Sequence, residues 1–490
     1  MANNIYIVNS LGSSSGVVIN DDGTGIDEIR ITGTYSQRPS IRLDWTTSPS
    51  PSAHGRFFPN PSPDNTSISL TINGIIENAR GSNGGDDIQG NQFANVIYGD
   101  AARTGPGGND VISAGDGNDT VYGGTGNDSV GGGAGNDRLY GDDGADTING
   151  DSGIDTIEGG AGADVLFGGS DAGDTVSYAS SNAAVTINIT HGTQTTGVGG
   201  HAQGDKLKGF SDVTGSAFAD IITDTAKGTI AFGYNDNKFS GGAGNDRLYL
   251  GGGDDAGYGG DGNDAIYGEV GNDLLDGGAG HDLLDGGGGN DTMYGGTGND
   301  IYIVSSTGDR VIEAVGAGMD TVRSYIDWTL GANVERLEFV GTASVSGNGN
   351  SLNNTIIGNG GSNTLRGGAG NDLLVGGAGK DTLVGGTGSD AFLFNAPLGS
   401  TNIDKITDYS AASDTIQLEN SIFTGLPAGW LTAGAFRIGP TAQDSTDRIM
   451  YDPMSGFLRF DKDGLGGAAP VQFATLTPGL VLSAGEFFIV

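Results

Sequence analysis

A period of nine constrains this chain more than any other feature. From Gly105 to Phe167 the sequence divides without insertion into GPGGNDVIS, AGDGNDTVY, GGTGNDSVG, GGAGNDRLY, GDDGADTIN, GDSGIDTIE and GGAGADVLF. The unit is G-G-x-G-x-D-x-U-x, with U a large apolar residue. Asp holds the sixth place at Asp110, Asp119, Asp128, Asp137, Asp146, Asp155 and Asp164, and the eighth carries Ile112, Val121, Val130, Leu139, Ile148, Ile157 and Leu166. The first six residues suit a tight turn, because Gly reaches backbone conformations closed to other residues. The last three alternate polar, apolar, polar, which predicts a short strand with one inward side chain. Two units predict one coil of about 18 residues, stacked on the next at about 4.8 Å. The expected fold is all-β: a parallel β-roll solenoid with a thin apolar core.

Stacking places the Asp of one unit over the Asp two units on. Two carboxylates about 5 Å apart repel by ~1 kcal/mol in water and by several at a surface dielectric near 20. Such a ladder requires cations. Ca²⁺ suits it, since it takes six to eight oxygens in flexible geometry and Gly-rich turns offer carbonyls beside the carboxylates. The nonapeptide resembles the RTX family of hemolysin-type calcium-binding repeats. That resemblance implies Ca²⁺ held between turns, type I secretion in transit and an address in the C-terminal tail; counting the inter-turn sites gives on the order of a dozen ions if most regular turns are filled.

The pattern returns twice. A second array from Gly241 places Asp246, Asp255, Asp264, Asp273, Asp282, Asp291 and Asp300 at the sixth position, with Gly257 breaking the apolar rule and predicting a thin core there. A third carries Asn354 and Asn363, then Asp372, Asp381 and Asp390. Asn keeps an oxygen but drops the charge, so its turns are expected to hold calcium weakly or not at all. Ahead of the first array, degenerate units carry Asp86 and Asn95, similar to the entry into the roll of serralysin-type proteins.

The chain therefore reads as an N-terminal β cap or binding domain (1–80), roll 1 (81–169), a β spacer (170–240), roll 2 (241–300), a spacer (301–348), roll 3 (349–393) and a C-terminal β cap (394–490). Candidate contact loops are TSPSPSAHGRFFPNPSPD, with His54, Arg56, Phe57 and Phe58, and the Gly/Thr stretch holding His191 and His201. His281 stands at a fifth place and is expected to be solvated. Aromatics cluster only in the last segment, where FLRFDKDGLGGAAPVQFATL suggests a hairpin whose Asp461–Asp463 turn reads equally as a plain turn or a lone Ca²⁺ site.

Composition narrows the function. A net charge of −38 with pI near 4.1 argues against nucleic acid and anionic membranes as partners. The chain has no Cys and no apolar stretch long enough to span a membrane. The opening residues lack the pattern of a cleavable signal. No H-E-x-x-H is present, and Gly12-Ser-Ser-Ser-Gly16 lies in a Ser/Gly-rich turn where a nucleophile elbow needs a strand and helix. The expectation is a secreted, non-catalytic, calcium-assembled component of a surface layer, matrix or adhesive coat, with self-assembly or cell-surface polysaccharide as partner. The alternatives are a calcium-dependent polysaccharide-binding module and an extracellular enzyme with an unrecognised site.

Overall fold

A computed structural model describes residues 76–490, except 82, 101–104, 191 and 226–235, with side chains from Ala79 onward. Before residue 76 it describes the backbone of six short strands. Among the described residues the regular elements are strands and three single-turn 3-10 helices, and no helix is long and apolar enough to cross a membrane. The chain divides into two compact units, Met1–Asp273 and Leu274–Val490.

In the first unit, consecutive nonapeptides alternate between two faces, as the short x-U-x strands require. Val111–Asp116, Ser129–Ala134, Thr147–Ser152 and Val165–Phe167 pair in parallel on one face, with Ile112, Val130, Ile148 and Leu166 in register. Val96–Tyr98, Thr120–Thr125, Arg138–Asp143 and Thr156–Glu158 do so on the other. The eighth-place residues meet between the faces and are sealed from solvent. Burying each contributes on the order of 2 kcal/mol.

The stack extends beyond the regular units. Ile5–Val8, Glu28–Ile31 and Gly55–Phe57 pair in parallel, as do Val17–Ile19, Ser40–Leu43 and Ser69–Ile72. Ser69–Ile72 then pairs with Asp87–Asn91, so the described strands before 76 continue the same parallel pairing. The candidate loop 47–64 falls outside the described residues apart from Gly55–Phe57, as do Gly12–Gly16 and His191. Within 170–240, Thr175–Ser177 lies between Thr156–Glu158 and Asp212–Thr214, and Lys206–Lys208 pairs with Val165–Phe167. Thr186–Ile189 founds a new face with Ile221–Asp224 and Arg247–Tyr249.

Gly257 does not thin the core. Leu250, at the first place of the same unit where Gly is the rule, is fully buried beside it. A Cβ on Gly257 would lie 3.1 Å from Leu250 Cδ1 and 2.8 Å from Ile266 Cγ2. Large and small residues have exchanged places, and the volume is conserved.

In the second unit, Leu283–Asp285, Ile301–Val304, Thr321–Ser324, Arg336–Phe339, Thr355–Ile357, Leu373–Val375, Ala391–Phe394 and Thr415–Leu418 form one parallel face. Phe487–Ile489 joins it in parallel at the end. Opposite, Thr364–Ala369, Thr382–Thr387, Asp404–Ile406 and Val471–Thr475 stack in parallel. Phe457–Phe460 and Ile449–Asp452 then turn antiparallel, confirming the hairpin over 457–475. Phe394, Phe423, Phe460 and Phe473 pack edge to face behind it, with centroids 5.0–5.3 Å apart.

Candidate metal centre

Each nonapeptide turn is fixed by what its positions must avoid. A Cβ on Gly123, a first-place residue, would stand 2.5 Å from Asp128 Oδ2 and 2.8 Å from the Gly141 carbonyl oxygen one coil on. Gly132, Gly141, Gly150 and Gly241 repeat this with Asp137, Asp146, Asp155 and Asp246. At these five positions a side chain would run into a carboxylate oxygen and a neighbouring carbonyl, which keeps them Gly; Ala114 and Leu250 hold the same place before Asp119 and Asp255.

The sixth-place side chains lie inside the turn. All eighteen candidate aspartates are only 0–3 % exposed. Their Oδ1 atoms accept the backbone N–H of the sixth-place residue one coil earlier: Asp110 donates to Asp128, Asp128 to Asp146 and Asp146 to Asp164, at 2.7–2.8 Å. The same bond links Asp119 to Asp137, Asp246 to Asp264, Asp282 to Asp300 and Asp372 to Asp390.

The second oxygen decides the chemistry. In Asp110, Asp119, Asp128, Asp137, Asp146, Asp155, Asp164, Asp246, Asp255, Asp300, Asp372 and Asp381, Oδ2 is buried with no hydrogen-bond donor. A carboxylate oxygen buried without a partner is costly. Burial pushes the Asp110 carboxyl up to about 9, and those of Asp137, Asp146 and Asp246 to about 7. N–H bonds and like-charged neighbours modify this without reversing it. Bare carboxylate oxygens beside Gly carbonyls form a hard, all-oxygen donor set, which fits Ca²⁺.

Other turns cap themselves. Asn354 and Asn363 Oδ1 accept the N–H of Asn350 and Asn359, four residues back, at 2.8 and 2.9 Å. Asn354 Nδ2 donates to the Val334 carbonyl. Asp220, Asp309, Asp414 and Asp447 Oδ2 accept in the same way from Ser216, Ser305, Ser410 and Gln443. The switch is the residue four places back. It has positive φ before most of the bare carboxylates, at Gly115 (+110°), Gly124 (+109°), Gly242 (+106°) and Gly368 (+110°), and even at Asp142 (+69°) and Asp151 (+72°); before Asp110 it is Pro106, which has no N–H to give. None of the capping residues has positive φ. Positive φ rotates the second-place peptide and withholds its N–H.

A second ladder was not legible from the period alone. Fifth-place side chains accept the fifth-place N–H one coil later: Asn127 donates to Asn109 Oδ1 and Asn136 to Asn118 Oδ1, both at 2.9 Å. His281 belongs to it, with Nδ1 accepting from Asn299 at 2.7 Å; it is exposed, as expected, and takes part in the ladder as well. Sequence reasoning also passed over Asp174, Asp205, Asp220, Asp309 and Asp320 in the segments between arrays. Each heads D-x-U-x, in DTVS, DKLK, DIIT, DRVI and DTVR. Asp174 and Asp320 carry bare Oδ2 atoms, whereas Tyr178 donates to Asp205 Oδ2. Asp461 Oδ1 accepts from Asp463 and Gly464 N–H, the bonding of a plain Asx turn.

The model of the RTX calcium-binding nonapeptide repeat matches residues 80–102, 104–139, 140–173, 233–266, 267–302, 348–383 and 357–392. No curated protein matches the chain. The matched segments hold the bare carboxylates, the positive-φ second places and the two-faced parallel register, and with them the chain carries RTX repeats whose nonapeptides bind Ca²⁺.

Proposed function

We propose that this protein is a secreted, non-catalytic scaffold that folds on Ca²⁺ outside the cell and serves as a surface-layer, matrix or adhesive component. The row of bare, buried Oδ2 atoms carries this reading. At cytosolic calcium levels the turns lack their counter-charge, so the chain stays unfolded and suits passage through a type I secretion channel. Outside, the binding free energy of the ions becomes folding free energy. Residual surface charge from the net −38 then keeps copies apart or recruits bridging Ca²⁺ between them or to cell-surface polysaccharide. Negative-stain electron microscopy tests the scaffold role. Calcium-dependent sheets or filaments are expected, and a chain that stays monomeric across millimolar Ca²⁺ removes it.

A calcium-dependent polysaccharide-binding module is the second reading. A cleft of about 200 Å³ lies between Tyr140, Asp142, Asp143, Glu158, Ser180 and His201. His201 Nδ1 is buried without a partner, and Tyr140 stacks on Tyr122, which stacks on Tyr98, at centroid spacings of 4.8–4.9 Å. A glycan array with His201→Ala as comparison discriminates, since glycan signals that survive the substitution exclude this cleft.

A further inference from the structure

We propose that Asp300, Glu313 and Asp320 form a reinforced cation site, chemically distinct from the ordinary turns, that takes Ca²⁺ more tightly than they do. Strand pairing places Tyr294 opposite Ile312, so Gly295 faces Glu313. Glu313 therefore stands at a first place, where the repeat has Gly. In an ordinary turn the point beside the first glycine is lined by an Asp Oδ2 and a neutral Gly carbonyl. At Gly295 a Cβ would instead meet Asp300 Oδ2 at 2.3 Å, the Tyr302 hydroxyl at 2.3 Å and Glu313 Oε1 at 2.7 Å. A Glu carboxylate oxygen stands nearer this point than any carbonyl.

Asp320 completes the site. Its Oδ1 accepts the Asp300 N–H at 2.9 Å, and Asp320 N–H donates to Glu335 Oε2 at 2.9 Å. Asp300 and Asp320 are 1 % and 0 % exposed, and the Oδ2 of each has no hydrogen-bond partner. One ligand atom from each of Asp300, Glu313 and Asp320 lies within 4.8 Å of the other two. Oxygens at that separation share one ion at Ca–O distances of about 2.4 Å. Glu313 is oriented by Tyr302, whose hydroxyl donates to Oε1, and by Ala314 N–H on Oε2 at 3.2 Å. Tyr302 occupies an eighth place, normally purely apolar, and is fully buried. Three carboxylates in a dry pocket demand a hard cation, and affinity in all-oxygen sites rises with charge count and rigidity. This site goes beyond the scaffold role and holds whether or not the chain assembles.

The test is competition between the full-length, calcium-folded protein and a chromophoric chelator, with total calcium per chain counted in parallel. The unmodified protein is expected to keep one ion at least about tenfold more tightly than the rest. Glu313→Gly rebuilds an ordinary turn, so total calcium should stay constant while that tight class disappears. Tyr302→Phe keeps all three carboxylates and should keep the tight class. An unchanged tight class in Glu313→Gly overturns the proposal, as does a uniform affinity in the unmodified protein. If Tyr302→Phe loses the tight class as fully as Glu313→Gly does, the Tyr302–Glu313 pair is a polar plug and the proposal falls.

Discussion

Removing calcium should make the fold acid-dependent, in the direction opposite to ordinary acid denaturation. Asp137, Asp146 and Asp246 are pushed by burial from 3.8 to about 7. The folded, metal-free chain thus binds these protons more tightly than the unfolded chain. Their contribution is complete below about 4 and is lost as pH rises through about 7. Between pH 7 and pH 5 each such group adds ~2 kcal/mol to metal-free stability, so these three supply ~7 kcal/mol, comparable to the 5–15 kcal/mol of a whole domain. Calcium-free protein, prepared by dialysis, should show β circular dichroism at pH 5 and lose it by pH 7.5. Lower net charge near the pI of 4.1 also favours compaction, so a second arm is needed. At pH 7.5 in 1 M NaCl, surface repulsion is screened beyond about 3 Å, yet no proton or divalent ion reaches the bare oxygens. Salt alone should therefore fail to restore the signal, while millimolar Ca²⁺ should succeed. Recovery in NaCl, or a signal flat from pH 5 to 7.5, would refute the claim that buried carboxylates are what calcium neutralises.

Other perturbations isolate single parts of the turn. Gly123→Ala drives a Cβ to 2.5 Å from Asp128 Oδ2 and should raise the calcium midpoint for folding, read by circular dichroism, with stoichiometry reduced by about one. Ser216→Gly frees the second-place peptide that caps Asp220, so calorimetry should count about one more Ca²⁺ per chain. Leu250→Ala empties the space beside Gly257 and should cost ~2–5 kcal/mol in denaturant melts in saturating calcium.

The period was legible because its two demands are local. Asp128 and Val130 sit two residues apart, one turned into the calcium turn and one into the core, and every alternate unit repeats the geometry. Segments between arrays were harder to read, since Asp174, Asp220 and Asp320 keep the turn-and-strand logic while losing most of the glycines that announce it. What single residues do across coils was not legible either. Glu313 looks like an ordinary spacer acid until strand pairing sets it opposite Gly295. Leu250 and Gly257 look like two separate defects until packing shows them to be one exchange. The self-capped turns share a sequence feature, Asn, Ser or Gln in place of a positive-φ residue four places before the capped side chain, but only the observed N–H bonds give it meaning: Ser170 stands four places before Asp174, sends its N–H to the Asp151 carbonyl and leaves Asp174 Oδ2 bare.

The sixth-place ladder gives roll 3 a direction. Each coil donates its N–H to the carboxylate of the coil that follows, so each is completed from its C-terminal side. Asp381 and Asp390 donate to Asp404 and Asp414, which lie in the closing segment. Asp414 is fixed by its own Ser410 N–H and needs no ion to hold its place. The phenylalanine cluster behind it supplies an apolar core that the thin roll lacks. A calcium-independent seed is therefore expected at the end where the ladder requires a first acceptor. Deleting residues 395–490 should leave the Asp381 and Asp390 N–H groups without acceptors and expose the edge of Ala391–Phe394, whereas Asp414→Ala removes one acceptor and spares the core. Stopped-flow calcium mixing separates the two contributions. If the closing segment is the seed, truncation slows folding far more than Asp414→Ala does, and adding the 395–490 segment in trans does not restore the intramolecular rate. Equal folding rates with and without the segment would place the nucleus inside the arrays themselves.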